Sequence, residues 1–297
     1  MIKLERMKLF YSKEMWMRIF HIAKKEYIQQ IRNPWVICVA ILFLILSVTV
    51  SYYGTAVETS DEWRDMEHTV RYLAAYVEYM VPLIALIMGY SSIVGEKERG
   101  TLELLFAYPL DRGEVLSGKF LGLWLVLVTC VVSGLGLGGF IISRNIGQVV
   151  WSEYYLFILA SILLGGVYLS LSMMLSVIFN TSSSALAGSI FTLFLFSFIW
   201  LFSMYALAEM TFGWSELELG RPPRWYFGLQ FFNPMIIWYT LLALNIPAIR
   251  EWAMEFAGAE PEFHPSYYDT WIMISILIVW IAVPLLTAEH FLKKQDM

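Results

Sequence analysis

Six long apolar runs decide most of what this chain can become. They fall at about 35–53, 72–94, 120–142, 154–178, 185–209 and 271–288. A helix needs about 20 mostly apolar residues to cross the hydrocarbon core, and each run meets that length. Segments such as VICVAILFLILSV and FTLFLFSFIWLF are apolar on every side, whereas strands of a spanning barrel alternate apolar and polar residues. Composition agrees. Of the 297 residues 59% are hydrophobic and 15% charged, and the mean hydropathy is +0.63. The expected fold is an all-α polytopic membrane protein with six transmembrane helices.

Lysine and arginine orient it. Fourteen of the 20 fall in residues 1–34, 95–119 and the tail, so the positive-inside rule puts both termini in the cytoplasm of a cell-membrane protein. The net charge of −5 arises mainly in the outer loops, including Glu58, Asp61, Glu62, Asp65 and Glu67 of 54–71. No feature points to nucleic acid. The first 34 residues are charged and amphipathic, and no secretory signal is expected there. Cys38 and Cys130 fall in different spans, too few for a metal cluster and read as small apolar fillers.

Residues 15–31 predict an amphipathic helix at the inner headgroups. Trp16, Phe20, Ala23, Tyr27 and Ile31 recur at spacings of three and four, with Arg18, His21, Lys25, Gln29 and Arg32 opposite. Asn33-Pro34 then marks the entry to the first span. Residues 1–34 form this interfacial elbow, and 35–297 form one six-span domain. The last outer loop, 210–270, carries a 13-residue apolar segment (234–246) bracketed by Asn233-Pro234 and Asn245-Ile246-Pro247. That is short for a span, so re-entrant outer helices before the sixth span are expected.

Between the second and third spans lies a charged island, GEKERGTLELLFAYPLDRGEVLSGK. Gly100 interrupts the helical pattern. Leu102, Leu104, Leu105 and Phe106 form an apolar patch ended by Pro109. Asp111 with Glu114 resembles a capping box opening the third span. The pattern predicts a short helix held crosswise at the cytoplasmic surface, with a charged approach and an apolar contact face.

Gly113 to Lys119 matches most of a phosphate-binding loop, but Phe120 stands where Ser or Thr should hold Mg²⁺. The segment also leads into a span rather than a soluble helix, so ATP chemistry must come from another chain. The four histidines sit in separate segments without zinc-type spacing. Glu78 is the one carboxylate well inside an apolar run; it is either an intramembrane functional group or a headgroup-level residue near Tyr76 and Tyr79. Gly134 and Gly138 allow close helix approach, read as packing within one subunit in preference to a dimer seam. The aromatic run at 191–202 is read as lipid or core contact; if it lines a passage, Ser197 and Ser203 are its only polar relief.

The island run Glu96-Lys97-Glu98-Arg99-Gly100-Thr101-Leu102-Glu103-Leu104-Leu105, followed by Pro109, Arg112, Glu114, Gly118 and Lys119, closely resembles the signature of type-2 ABC transporter permeases. The run looks most like the subgroup resembling permeases of nitrous-oxide-reductase maturation systems, and KKEYIQQIRNPW (24–35) is similar to its entry into the first span. The resemblance implies an exporter subunit that dimerises with a second copy or paralogue and docks on a cytoplasmic ABC ATPase. The ATPase would bind ATP and Mg, with no cofactor in this chain. Glu96, Lys97, Glu98, Arg99 and Glu103 would orient a coupling helix around 100–105, and Leu102 and Leu104 would supply apolar contact. The outer loop 210–270 is longer than that family leads one to expect. The alternative function is a membrane scaffold or sensor that recruits a cytoplasmic partner without transport.

Overall fold

A computed structural model describes residues 2–56, 66–102, 110–146, 150–213, 223–251 and 268–294. Among these residues six helices are long and apolar enough to cross a membrane: Pro34–Gly54, Thr69–Glu98, Arg112–Asn145, Trp151–Ile178, Ser182–Thr211 and Thr270–Lys294. Among the described residues there is no strand. The chain is an all-helical, multi-pass membrane protein.

Helix α1 (Ile2–Ile31) precedes α2 (Pro34–Ala56), the first span. The break is local chemistry. Asn33 Oδ1 accepts from Trp35 N at 3.1 Å, and Pro34 suits a first helical position because the amide it lacks would have no intrahelical partner. Helix α1 starts earlier than residue 15. Ile19, Ala23 and Glu26 are buried, whereas Trp16 and Phe20 stay exposed, so Ala23 separates from the aromatics grouped with it.

The second span bends. Helix α3 (Met66–Gly89) gives way to a turn and then to α4 (Val94–Glu98). The amides of Ile93 and Val94 both donate to Ser176 Oγ at 3.0 Å, so a buried serine of the fourth span satisfies the donors that the bend leaves free. Helix α5 (Arg112–Ile146) forms the third span and α6 (Trp151–Ile178) the fourth. Helix α6 is the central post, 72% buried over its apolar window. Gly134 and Gly138 of α5 lie against Phe43 and Ser51 of α2, so this small-residue pair serves packing within the chain.

The fifth span is α7 (Ser182–Phe194), a π-helical turn at Leu195–Ile199, and α8 (Trp200–Thr211). No sequence pattern announced the turn. It is matched by helices α9 (Arg224–Leu229) and α10 (Pro234–Asn245). Asn233, 1% exposed, caps α10 by accepting from Met235 N at 2.9 Å. Its Nδ2 donates to Phe196 O at 2.8 Å, inside the π turn. Segments Arg224–Phe232 and Pro234–Asn245 meet at 117°, and a 12-residue helix of about 18 Å is too short to cross a bilayer alone. Helix α11 (Thr270–Lys294) closes the bundle.

Candidate coupling site at the α4–α5 end of the bundle

Helix α1 packs lengthwise on the start of α5. Arg18 meets Glu114, Ile22 meets Gly118 and Tyr27 meets Thr129. Residue numbers rise together, so the two helices run side by side in the same direction. Close approach depends on glycine: a Cβ on Gly122 would sit 2.5 Å from the Ala23 carbonyl oxygen, and one on Gly118 would sit 2.7 Å from Ile22 Cβ.

Within this seam lies a buried ionic knot. Lys119 Nζ donates to Glu26 Oε1 at 2.7 Å and to Glu96 Oε1 at 2.8 Å. The side chains of Lys119, Glu26 and Glu96 are 2%, 10% and 14% exposed. One ammonium therefore joins α1, α4 and α5. Buried charges survive only when paired and hydrogen-bonded, and breaking such a pair typically costs about 3–5 kcal/mol. This geometry explains the phosphate-loop look-alike: Gly118 lets α1 approach, and Lys119 is committed to two carboxylates.

A second pair fixes the same seam. Arg18 grips Glu114 with both arms, Nε to Oε2 at 3.0 Å and Nη2 to Oε1 at 2.8 Å. Glu114 also accepts from the Asp111 amide at 3.4 Å, the reach-back half of the expected capping box.

The island residues separate into roots and surface. Glu96 turns inward to Lys119. Lys97 Nζ donates to Asn180 Oδ1 at 3.1 Å. Glu98 accepts from Ser182 N at 2.8 Å and also from Ser182 Oγ, placing a carboxylate at the amino end of α7, where the helix dipole favours it. The α4 end is thereby tied to the fifth span. Gly100 has φ +68°, a left-handed conformation that favours glycine, so the helical path of α4 is interrupted there. Arg99, Gly100 and Thr101 are exposed, while Leu102 is fully buried. Glu103, Leu104 and Leu105 lie outside the described residues.

Glu78 sits elsewhere, half-buried on α3. Tyr79, Tyr168 of α6 and Tyr239 of α10 lie within Coulombic reach of it. Pro82, inside the helix, lacks the amide that would pair with the Glu78 carbonyl. The structure does not bring Glu78 together with the island.

Sequence reasoning missed Glu26, Ser176, Asn180 and Ser182. Glu26 left a signal: it is the sole acidic residue between Arg18 and Asn33, and an isolated carboxylate on a basic helix invites a search for its partner. Asn180 and Ser182 fall in the polar run NTSSS, which reads as a turn between the fourth and fifth spans but does not name the island as its partner. Serines in apolar helices carry no comparable mark.

These features define a multi-pass helical membrane protein whose second, third and fifth spans are joined by polar contacts at one end. The chain belongs to the ABC-2 family transporter proteins, whose family description matches residues 20–297. It is 32% identical over 283 residues to a probable ABC transporter permease protein NosY of Stutzerimonas stutzeri, covering 94% of this chain and 99% of that protein. It is 35% identical over 231 residues to a probable ABC transporter permease protein NosY of Pseudomonas aeruginosa, covering 76% and 82%. The protein is thus an ABC transporter membrane subunit, and a permease of this kind implies a partner ATPase.

Proposed function

We propose that this chain is the permease subunit of an ATP-driven exporter in the cell membrane, with both termini in the cytoplasm. It couples ATP hydrolysis by a separate cassette ATPase to substrate movement. Arg99, Gly100 and Thr101 form the exposed tip offered to the ATPase. Glu96, Lys97, Glu98 and Leu102 root that tip in the bundle, and Glu103, Leu104 and Leu105 continue the coupling segment. ATP and Mg belong to the partner. The observation carrying this reading is the Lys119 knot, which supports rigid transmission: a push on the tip reaches α1 and α5 through one ammonium and α7 through Glu98. Such a linkage lets a ligand bound elsewhere bias a two-state bundle.

A second permease copy or paralogue completes the assembly. The fifth span is only 11% buried over its apolar window, and Phe191, Phe194, Phe198 and Phe202 are exposed along it. Co-reconstitution of this chain with its cassette ATPase in vesicles tests the proposal. Hydrolysis should rise when both are present. Hydrolysis indifferent to this chain would favour a scaffold or sensor role.

A further inference from the structure

Between α1, α2 and α5 lies a groove of about 230 Å³, bounded by Ile31, Val36, Ala40 and Leu44 on one side and by Val126 and Cys130 on the other. Its only other lining side chains are Ile37, Ile41, Thr129 and Ser133. Both hydroxyls are already committed within the chain: Thr129 Oγ1 donates to Leu125 O at 2.8 Å and Ser133 Oγ to Cys130 O at 3.0 Å. The groove thus offers a ligand mainly hydrocarbon contact and no free hydroxyl donor. Val36 to Leu44 of α2 spans about 12 Å of helix, so the cleft is elongated along the span.

One end of the groove is charged. Ile31 is the last residue of α1, and Arg32 follows it directly. Lys24 lies on the same stripe as Ile28 and Ile31, and Lys25 on the same stripe as Arg32, because residues seven apart return to one helix face. Lys24, Lys25 and Arg32 are exposed, and none makes a hydrogen bond or ion pair among the described residues. Trp35, 75% exposed, stands beside them at the helix junction, as interfacial tryptophans do at headgroup level.

We propose that this groove is a binding site for an anionic phospholipid, with one acyl chain lying along α2 and the phosphate held by Arg32 and the neighbouring lysines. The pattern of cations at one end and hydrocarbon along the rest matches an amphiphile with a negative head. A protein segment would meet three cations unpaired among the described residues, beside a cleft with no free hydroxyl donor. Arg32 suits phosphate because its planar guanidinium offers two parallel donors.

The test uses the full chain, delipidated and supplied with dioleoylphosphatidylglycerol or dioleoylphosphatidylcholine, with retained lipid read by native mass spectrometry. The wild type should retain the glycerol lipid in preference to the choline lipid. Arg32→Ala should weaken retention of the glycerol lipid about fivefold, as expected for one surface cation, and leave the choline lipid unchanged. Ala40→Phe, which fills the cleft without altering charge, should remove retention of both. Should that variant fail to fold, p-benzoylphenylalanine in place of Ile37 at the rim should capture the glycerol lipid on irradiation. Equal retention of the two lipids by the wild type would overturn the site, as would wild-type retention by Arg32→Ala. Capture of a second copy of this chain instead of lipid would overturn it equally.

Discussion

Lys119 Nζ reaches Glu96 Oε1 across 2.8 Å, and that single contact fastens the end of the second span to the start of the third. The same ammonium holds Glu26 of α1 at 2.7 Å. Removing it leaves two buried carboxylates facing each other. Lys119→Met should lower unfolding stability by about 3–5 kcal/mol, read from denaturation in detergent. It should also abolish stimulation of the partner ATPase while leaving that ATPase's nucleotide affinity unchanged. A lost nucleotide affinity would instead assign Lys119 to a phosphate site.

Glu98 ties the tip to the amino end of α7 through Ser182. Reversing charge at Glu98 and Glu103 together should weaken ATPase binding while leaving membrane insertion intact. Complex yield after co-purification reads the first effect, and protease or glycan mapping of topology reads the second. An unaltered yield would count against the docking role of the island.

The α1–α5 seam predicts opposite signs for two glycines of one helix. A Cβ at Gly122 would collide with the Ala23 carbonyl oxygen at 2.5 Å, whereas one at Gly136 meets nothing within 4 Å. Gly122→Ala should therefore destabilise by about 1–3 kcal/mol, the usual cost of forcing atoms into a packed interface. Gly136→Ala should stabilise by up to about 1 kcal/mol through helix propensity. Thermal unfolding of the two variants side by side decides the matter.

Glu78, near Tyr168 and Tyr239, is proposed to act in the substrate path, since carboxylates inside spans are costly to keep. Glu78→Gln should slow transport several-fold with the ATPase complex still formed. Unchanged transport would retire that role.

Much of this architecture could be read from residues. The six runs predicted six spans because hydrocarbon tolerates only closed hydrogen bonding and apolar surface, a constraint visible at every position. Gly100 and Asp111–Glu114 marked local breaks through backbone chemistry, and both appear in the structure. Pairings between distant segments were hidden. Nothing in Lys119 identifies Glu26 as its partner, and the phosphate-loop spacing drew attention to a different chemistry. Ala23 could not be told from the aromatics of its stripe, because periodicity does not distinguish a small residue packed on α5 from Trp16 and Phe20, which stay outward. The π turn at Leu195–Ile199 was illegible because the contact that meets it, the Asn233 side chain reaching Phe196 O, lies 37 residues away.

The central claim is that the exposed tip after α4 faces the cytoplasm and bears on a cassette ATPase. A cysteine at Thr101, in a chain with Cys38 and Cys130 replaced by serine, tests it most directly. The account predicts modification by an impermeant maleimide only from the cytoplasmic side, and cross-linking to the ATPase within the native assembly. Modification from the outer side, or an assembly in which position 101 reaches no ATPase, would contradict it.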